Sequence, residues 1–232
     1  MHLANGVSPE LVSLFNQAAR LSRVGRHEDA LNTWERLFSP EGVWSEADTL
    51  AASPCFLAVA AMRRAWVLMD LGRFDEARER FERGLLPRLL DLLPATERFD
   101  YWFSYGNTLA ELGELEEADA ALGRAICVAM SDLNDNRRAS RAWSRLLDIA
   151  TDQHAWGFLA REGEAAASWA ASAGEPTLEV SALWRRALAL RVLGREAEAH
   201  DALLRIRALA ERLGLREARA AVELALSAVS AV

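Results

Sequence analysis

Across 232 residues the chain is 51% hydrophobic and 26% charged, and 34 acidic against 27 basic residues leave a formal net charge of −7. That is enough apolar material to bury a sizeable core without disulfides or a structural metal, and too much for a disordered chain. Every basic residue is an arginine, and these are dispersed through an acidic chain, so the concentrated positive footprint that duplex nucleic acid needs is missing.

The two cysteines, Cys55 and Cys127, lie far apart and belong to no ligand-spaced motif. Free thiols in a reducing compartment are the natural expectation. The segment Met1 to Gly6 has neither a basic stretch nor an apolar run of signal-peptide length, and no charge-free stretch is long enough to span a bilayer. These features together predict a cytoplasmic protein with no membrane partner.

Taken in chain order, the apolar residues recur at helical spacing and fall into pairs of helices. Ser8-Pro9-Glu10 supplies a capping hydroxyl before a first-turn proline and opens a hairpin over 8–38. Its first helix carries Leu14, Ala18 and Leu21, its second Trp34 and Leu37. The segment from Ser39 to Thr49, with Pro40 and Gly42, reads as the longest loop. Ser53-Pro54 then starts a second hairpin, about 54–92, with Ala61, Ala65 and Leu68 before its turn and Phe81 and Gly84 after it. Pro87 is expected to end or kink the second helix there. The third hairpin, 97–130, has Trp102, Tyr105, Gly106 and Leu109 in its first helix and Leu122 and Ala125 in its second. A blurred fourth occupies 137–173, with Trp143, Leu146, Leu147 and Ala150, then Trp156, Leu159, Gly163, Ala166 and Ala170. Gly174-Glu175-Pro176 stops one helix and starts another, opening a fifth hairpin over 176–213 with Leu183, Ala187 and Leu190, then Leu203 and Ile206. A terminal helix, 215–230, closes the chain.

One short motif joins the helices of four hairpins. It reads Val24-Gly25-Arg26-His27-Glu28-Asp29-Ala30, Leu71-Gly72-Arg73-Phe74-Asp75-Glu76-Ala77, Leu112-Gly113-Glu114-Leu115-Glu116-Glu117-Ala118 and Leu193-Gly194-Arg195-Glu196-Ala197-Glu198-Ala199. The glycine ends a helix where the backbone must turn left-handed, the acidic residues open the next helix at the positive end of its dipole, and the alanine lets the two helices approach. Gly25 to Gly72 is 47 residues, Gly72 to Gly113 is 41, and Gly113 to Gly194 is 81. The last interval fits two units, of which the fourth has lost both the turn glycine and the acidic-alanine pair.

The run Trp-x2-Tyr-Gly-x2-Leu-x3-Gly-x-Leu-x2-Ala-x3-Leu-x2-Ala from Trp102 to Ala125 resembles the tetratricopeptide repeat, and weaker versions cover most of the chain. Units near 40 residues, longer than the family's usual 34, are similar to the long-helix variants of bacterial regulators. The resemblance implies an all-α, right-handed superhelical solenoid of five antiparallel hairpins plus a C-terminal helix, forming one domain over 1–232. It also implies a groove built from the first helix of each hairpin. Aligned on each marker glycine, that groove would be lined by Phe15, Ala19 and Ser22, then Met62, Trp66 and Met69, then Phe103, Asn107 and Ala110. Units four and five would add Arg141, Ser144 and Asp148, then Trp184, Leu188 and Arg191. Aromatics, Met and Arg are the types enriched at binding hot spots. The same residues also fit a tighter packing in which Phe15, Met62 and Phe103 are core. The family's chaperone carboxylate clamp does not fit, because the chain has no lysine and unit one offers Phe15 and Ala19 instead.

No phosphate loop, dinucleotide fingerprint, nucleophile elbow or zinc-binding helix is present. The four histidines are scattered, and Glu114, Glu116 and Glu117 are explained by a helix start. The sequence therefore predicts no enzyme, cofactor or metal. It predicts a protein- or peptide-binding scaffold or adaptor, with a peptide- or small-ligand-responsive module of a bacterial regulator as the alternative. Arg138, Arg141 and Arg145 form a basic stripe, read either as solvated charge or as a seat for an acidic peptide. In the terminal helix, Val222, Ala225, Val229 and Val232 on one side and Leu224, Ala228 and Ala231 on the other leave little polar outer face. A second copy or another protein is expected to cover it.

Overall fold

The structure, a computed structural model, describes residues 8–38, 54–83, 87 and 89–229. The loop expected over Ser39 to Thr49, the cap Ser53, Gly84 and the end of the chain from Ser230 lie outside these, as do the side chains of Ala228 and Val229. The described residues are all-α. Eleven α-helices run α1 (Pro9–Arg23), α2 (His27–Phe38), α3 (Pro54–Asp70), α4 (Phe74–Glu82), α5 (Ala95–Glu111), α6 (Leu115–Cys127), α7 (Asn136–Asp152), α8 (Trp156–Ser172), α9 (Pro176–Val192), α10 (Glu196–Leu213) and α11 (Arg216–Val229). A short 3-10 turn, Leu90–Leu92, precedes α5, and a π-turn, Val128–Asp132, follows α6. The helix α4 stops at Glu82, before Pro87 is reached.

Consecutive helices pack as hairpins, α1 on α2, α3 on α4, α7 on α8 and α9 on α10. The turn that makes them is the same each time. At Gly113, φ is 80°, the Gly113 N–H donates to Ala110 O at 3.1 Å, and the Glu114 N–H reaches back to Leu109 O at 2.9 Å. A residue other than glycine meets its own Cβ in that left-handed region. The alanines five residues on, Ala30, Ala77, Ala118 and Ala199, are all fully buried, which is where the close approach of paired helices puts them.

The fourth hairpin makes the same turn without a glycine. His154 has φ 55°, its N–H donates to Thr151 O at 3.0 Å, and the Ala155 N–H donates to Ala150 O at 2.9 Å. The His154 ring lies against Trp156, centroids 5.3 Å apart. Position 154 divides the 81-residue interval, and Leu159 takes the buried place of the alanine at 1% exposure.

Two compact units are distinguished, 1–121 and 122–232. The core of the first is aromatic and Leu-rich: Leu11, Trp34, Leu37, Met62, Leu68, Phe81 and Tyr101, with Phe15, Trp66 and Trp102 packed against it. The Tyr101 hydroxyl donates to Phe81 O at 2.8 Å. The core of the second is built largely from small residues, Ala160, Ala166, Ala167, Ala182, Ala187, Ala189, Ala199 and Ala202, with Leu147, Leu183, Leu190, Leu203 and Ile206 between them. Closeness reaches its limit at Gly163 of α8, where an added Cβ would lie 2.7 Å from the Cβ of Arg186 on α9.

Candidate functional site

The first helices of the hairpins are α1, α3 and α5 in the amino-terminal unit and α7 and α9 in the carboxy-terminal one. The turn at Gly214 (φ 68°) repeats the one at Gly174 (φ 68°) 40 residues later, so α11 holds the place of a further first helix. Ten residues before the turn stand Phe15, Met62, Phe103 and Trp184, and six before it stand Ala19, Trp66, Asn107 and Leu188. Anchored on His154, the fourth unit contributes Ser144, Asp148 and Thr151. Arg141, expected in the groove, falls a helical turn before that row on this register.

In the amino-terminal unit these side chains lean on their own scaffold. Phe15 sits edge-on to Trp34, centroids 5.2 Å apart, and 5.1 Å from Phe56. Met62 is 1% exposed and is core, because the large side chains around it close the gap it would have faced. Phe103 stacks on the buried Phe99 at 5.6 Å. Trp66 is half-buried, and the Arg63 guanidinium lies 4.4 Å from the centroid of its ring. Lost hydration lowers the pKa of Arg63, with Asp100 working against that shift. Asn107 is half-buried on α5. Behind this row, the Tyr105 hydroxyl donates to Glu82 at 2.9 Å, and Arg78 bridges Glu82 at 2.8 Å and Glu114 at 2.6 Å. Burial, then the Glu82 hydrogen bond, push the Tyr105 phenol far above its ordinary value.

The carboxy-terminal unit is open. Trp184 is 36% and Leu188 43% exposed, and Arg191 on the same stripe is exposed. With Ala187 of α9, Leu203 of α10 and Ala225 of α11 they line a hollow of about 50 Å³. Nearer α7, Arg185 donates to Asp148 and to Ser181, tying α9 to the preceding first helix. Below that pair Ser140 is buried, and its hydroxyl has no hydrogen-bond partner among the described residues. Of the three arginines expected to form a stripe, Arg138 is held by Asp135 at 2.6 Å.

Thus the structure brings Trp184, Leu188 and Arg191 together and separates them from Arg141. Sequence reasoning passed over Arg63 and Arg185, yet a signal exists, for both stand nine residues before a turn glycine. The sequence reads Leu203 as a packing position of the fifth hairpin's second helix, and Ala225 joins it in the hollow because α11 holds the place of a further first helix. On α11 itself, Val222 and Leu226 are buried while Arg216, Arg219, Glu223 and Ser227 make an exposed polar stripe. That stripe gives this helix part of the polar outer face a solenoid end requires, while the side chains of Ala228, Val229, Ala231 and Val232, on which the expectation of a covering second copy or protein also rests, lie outside the described residues. Leu224, 74% exposed, stands 40 residues after Trp184 and continues its row.

Among the described residues no group of three or more His, Cys, Asp or Glu is placed to hold a metal ion, and no helix is long and apolar enough to cross a membrane. Residues 99–126 match the tetratricopeptide-repeat family. No curated protein matches the chain significantly. Solved structures do. The nearly identical TPR-like repeats of a Podosopora anserina protein assigned to the kinesin light chains superpose with a TM-score of 0.62 at 15% identity, over 88% of this chain and 96% of that one. BtubC (BKLC) from P. vanneervenii gives a TM-score of 0.59 at 15% identity, over 92% and 93%. At that identity the likeness is one of fold.

Proposed function

We propose that this chain, a tetratricopeptide-repeat protein by its fold and by the repeat at 99–126, is a non-catalytic scaffold or adaptor that binds a protein or peptide through the first-helix face of its carboxy-terminal unit. The observation that carries the reading is Trp184, Leu188 and Arg191 standing exposed on one stripe of α9 over a hollow floored by Leu203. A large aromatic held out of a well-packed alanine-rich core loses hydrophobic burial, and it regains that when a partner covers it. A concave face with rigid aromatic, aliphatic and arginine groups is where hot spots form. Nothing in the arrangement assembles a nucleophile beside a base. Continuity of the hairpins over 1–232 as one solenoid, a setting in the cytoplasm and exclusion of nucleic acid and membrane belong to the same proposal. The coverage of 88% and 92% by TPR-like structures supports the continuity, the free thiols of Cys55 and Cys127 the compartment, and the net charge of −7 the exclusion of nucleic acid.

The test is affinity capture with the full chain, followed by mass spectrometry and binding measurements with the captured protein. Trp184→Ala combined with Leu188→Ser is expected to abolish that binding while the helical circular dichroism and melting curve stay close to those of the parent. Retained binding in the double variant overturns the assignment of the face.

A further inference from the structure

The hollow between α9 and α11 has chemistry that narrows its occupant. Four of its six lining residues, Ala187, Leu188, Leu203 and Ala225, are aliphatic, and the Trp184 indole forms one wall. Its volume of about 50 Å³ is roughly a third of the ~150 Å³ that encloses a benzene ring. A hollow of that size matches the branched end of a Val, Leu or Ile side chain and is small for a phenyl or indole group. The remaining lining residue is Arg191. Among the described residues this guanidinium has no ion-pair or hydrogen-bond partner, in contrast to Arg185 and Arg186 of the same helix, held by Asp148 and Glu164. An unpaired arginine at the rim of a mostly apolar hollow is placed to take a carboxylate, since guanidinium–carboxylate bonds are the strongest polar contacts available there.

We infer that the α9–α11 hollow receives an aliphatic side chain from an internal segment of a partner protein, with an Asp or Glu a few residues away held by Arg191. The inference rests on the scaffold reading above and deepens it. Trp184, Leu188 and Arg191 span seven positions of helix, about 10 Å. An extended segment covers that distance in about three residues, which sets the spacing of anchor and acid. The row continues onto α11 through Leu224, so the segment runs on past the hollow and does not end in it. The carboxylate therefore comes from a side chain and not from a chain terminus. The net charge of −7 opposes an acidic partner only at long range, because screening confines it to about 8 Å at physiological ionic strength, while Arg191 acts in contact.

The experiment is selection of phage-displayed random 12-residue peptides on the immobilised full chain. Synthetic copies of the enriched peptides, amidated or with a free carboxyl end, are then titrated against parent, Arg191→Gln and Ala225→Leu, the last filling the hollow with a good helix former. Enrichment of Val, Leu or Ile within two to four residues of Asp or Glu is expected. So are an affinity about tenfold weaker for Arg191→Gln, loss of the aliphatic preference in Ala225→Leu, and no dependence on the peptide's end group. Enriched peptides that are aromatic-anchored or basic, that bind Arg191→Gln equally, or that need a free carboxyl end overturn the inference. If those peptides still lose binding in Trp184→Ala, the scaffold reading stands without it. If no peptide is enriched over background, the inference falls and the affinity capture decides the scaffold reading by itself. Circular dichroism of each variant confirms that the helices are kept.

Discussion

Phe15, Met62, Phe103 and Trp184 occupy one register position, ten residues before a turn, and meet opposite fates. In the amino-terminal unit Met62 is 1% exposed and Phe15 and Phe103 lean on neighbouring rings, whereas in the carboxy-terminal unit Trp184 is 36% exposed. The difference goes with the side chains that fill the two cores. In the amino-terminal unit the groove-side residues pack among large aromatic and leucine side chains. Alanines and Gly163 draw α8 and α9 so close that a Cβ at 163 would lie 2.7 Å from the next helix, and an indole has nowhere to go but out. The exposed stripe of α9 arises here beside tight packing, not from a special local conformation.

Truncating the buried indole of the first unit and the open one of the second gives the largest contrast. Trp34 is fully buried, and Trp34→Ala is expected to cost about 3–5 kcal/mol. Trp184→Ala is expected to cost less than roughly half of that, because its burial is partial. Urea unfolding followed by circular dichroism measures both. Equal losses would mean that Trp184 is as much a part of the core as Trp34.

The packing explanation is tested next by glycine. Gly163→Ala forces a new methyl against Arg186 Cβ and should lose about 1–3 kcal/mol. Gly123→Ala, in α6 with nothing within 4 Å of the added Cβ, should gain up to about 1 kcal/mol from helix propensity. Thermal melts of the two variants moving in the same direction would break the argument that α8 and α9 are in contact at their limit.

What was legible in the sequence follows the same division. The turn glycines and the alanines five residues later were readable because each position tolerates almost no other side chain. The fourth turn was hidden because His154 adopts the left-handed conformation in glycine's place, and Leu159 fills the alanine's place. The site was legible only as a register. Which members of the row would be open was not, since Met62 and Trp184 differ less in themselves than in spacing set by Gly163 and the alanines elsewhere in the chain. Arg63 over Trp66 and Arg185 on Asp148 were missed for a related reason, being partners of the row rather than members of it.

The substituted turn offers a smaller effect. Relieving the left-handed strain in His154→Gly is expected to gain up to about 1 kcal/mol, less whatever the His154–Trp156 stack contributes. Gly113→Ala should lose about 1–2 kcal/mol. A loss in both, read by thermal melting, would mean that the stack outweighs the strain.

The two units also differ in how a helix is started, and pH separates them. The α1 helix is capped by the Ser8 hydroxyl, which accepts from the Leu11 N–H at 3.3 Å, and α7 by the Asp135 carboxylate, which accepts from the Arg138 N–H at 3.0 Å. That backbone hydrogen bond, together with the Arg138 side chain, holds the Asp135 carboxyl below its ordinary value. A carboxylate depressed in the folded state stabilises above its unfolded pKa, near 4, and that contribution is lost as pH falls through the folded value. Acidification should therefore loosen the first turn of α7 below about pH 4 and leave the cap of α1 unaffected, because a hydroxyl does not titrate there. Amide hydrogen exchange at Arg138 and Leu11 between pH 5 and pH 3, corrected for intrinsic rates, reads the two caps separately. Asp135→Ser should keep α7 capped and flatten its pH response, whereas Asp135→Ala should cost about 1 kcal/mol at neutral pH. An α7 cap that opens with acid equally in Asp135→Ser would place the pH sensitivity in other carboxylates and remove Asp135 from the account.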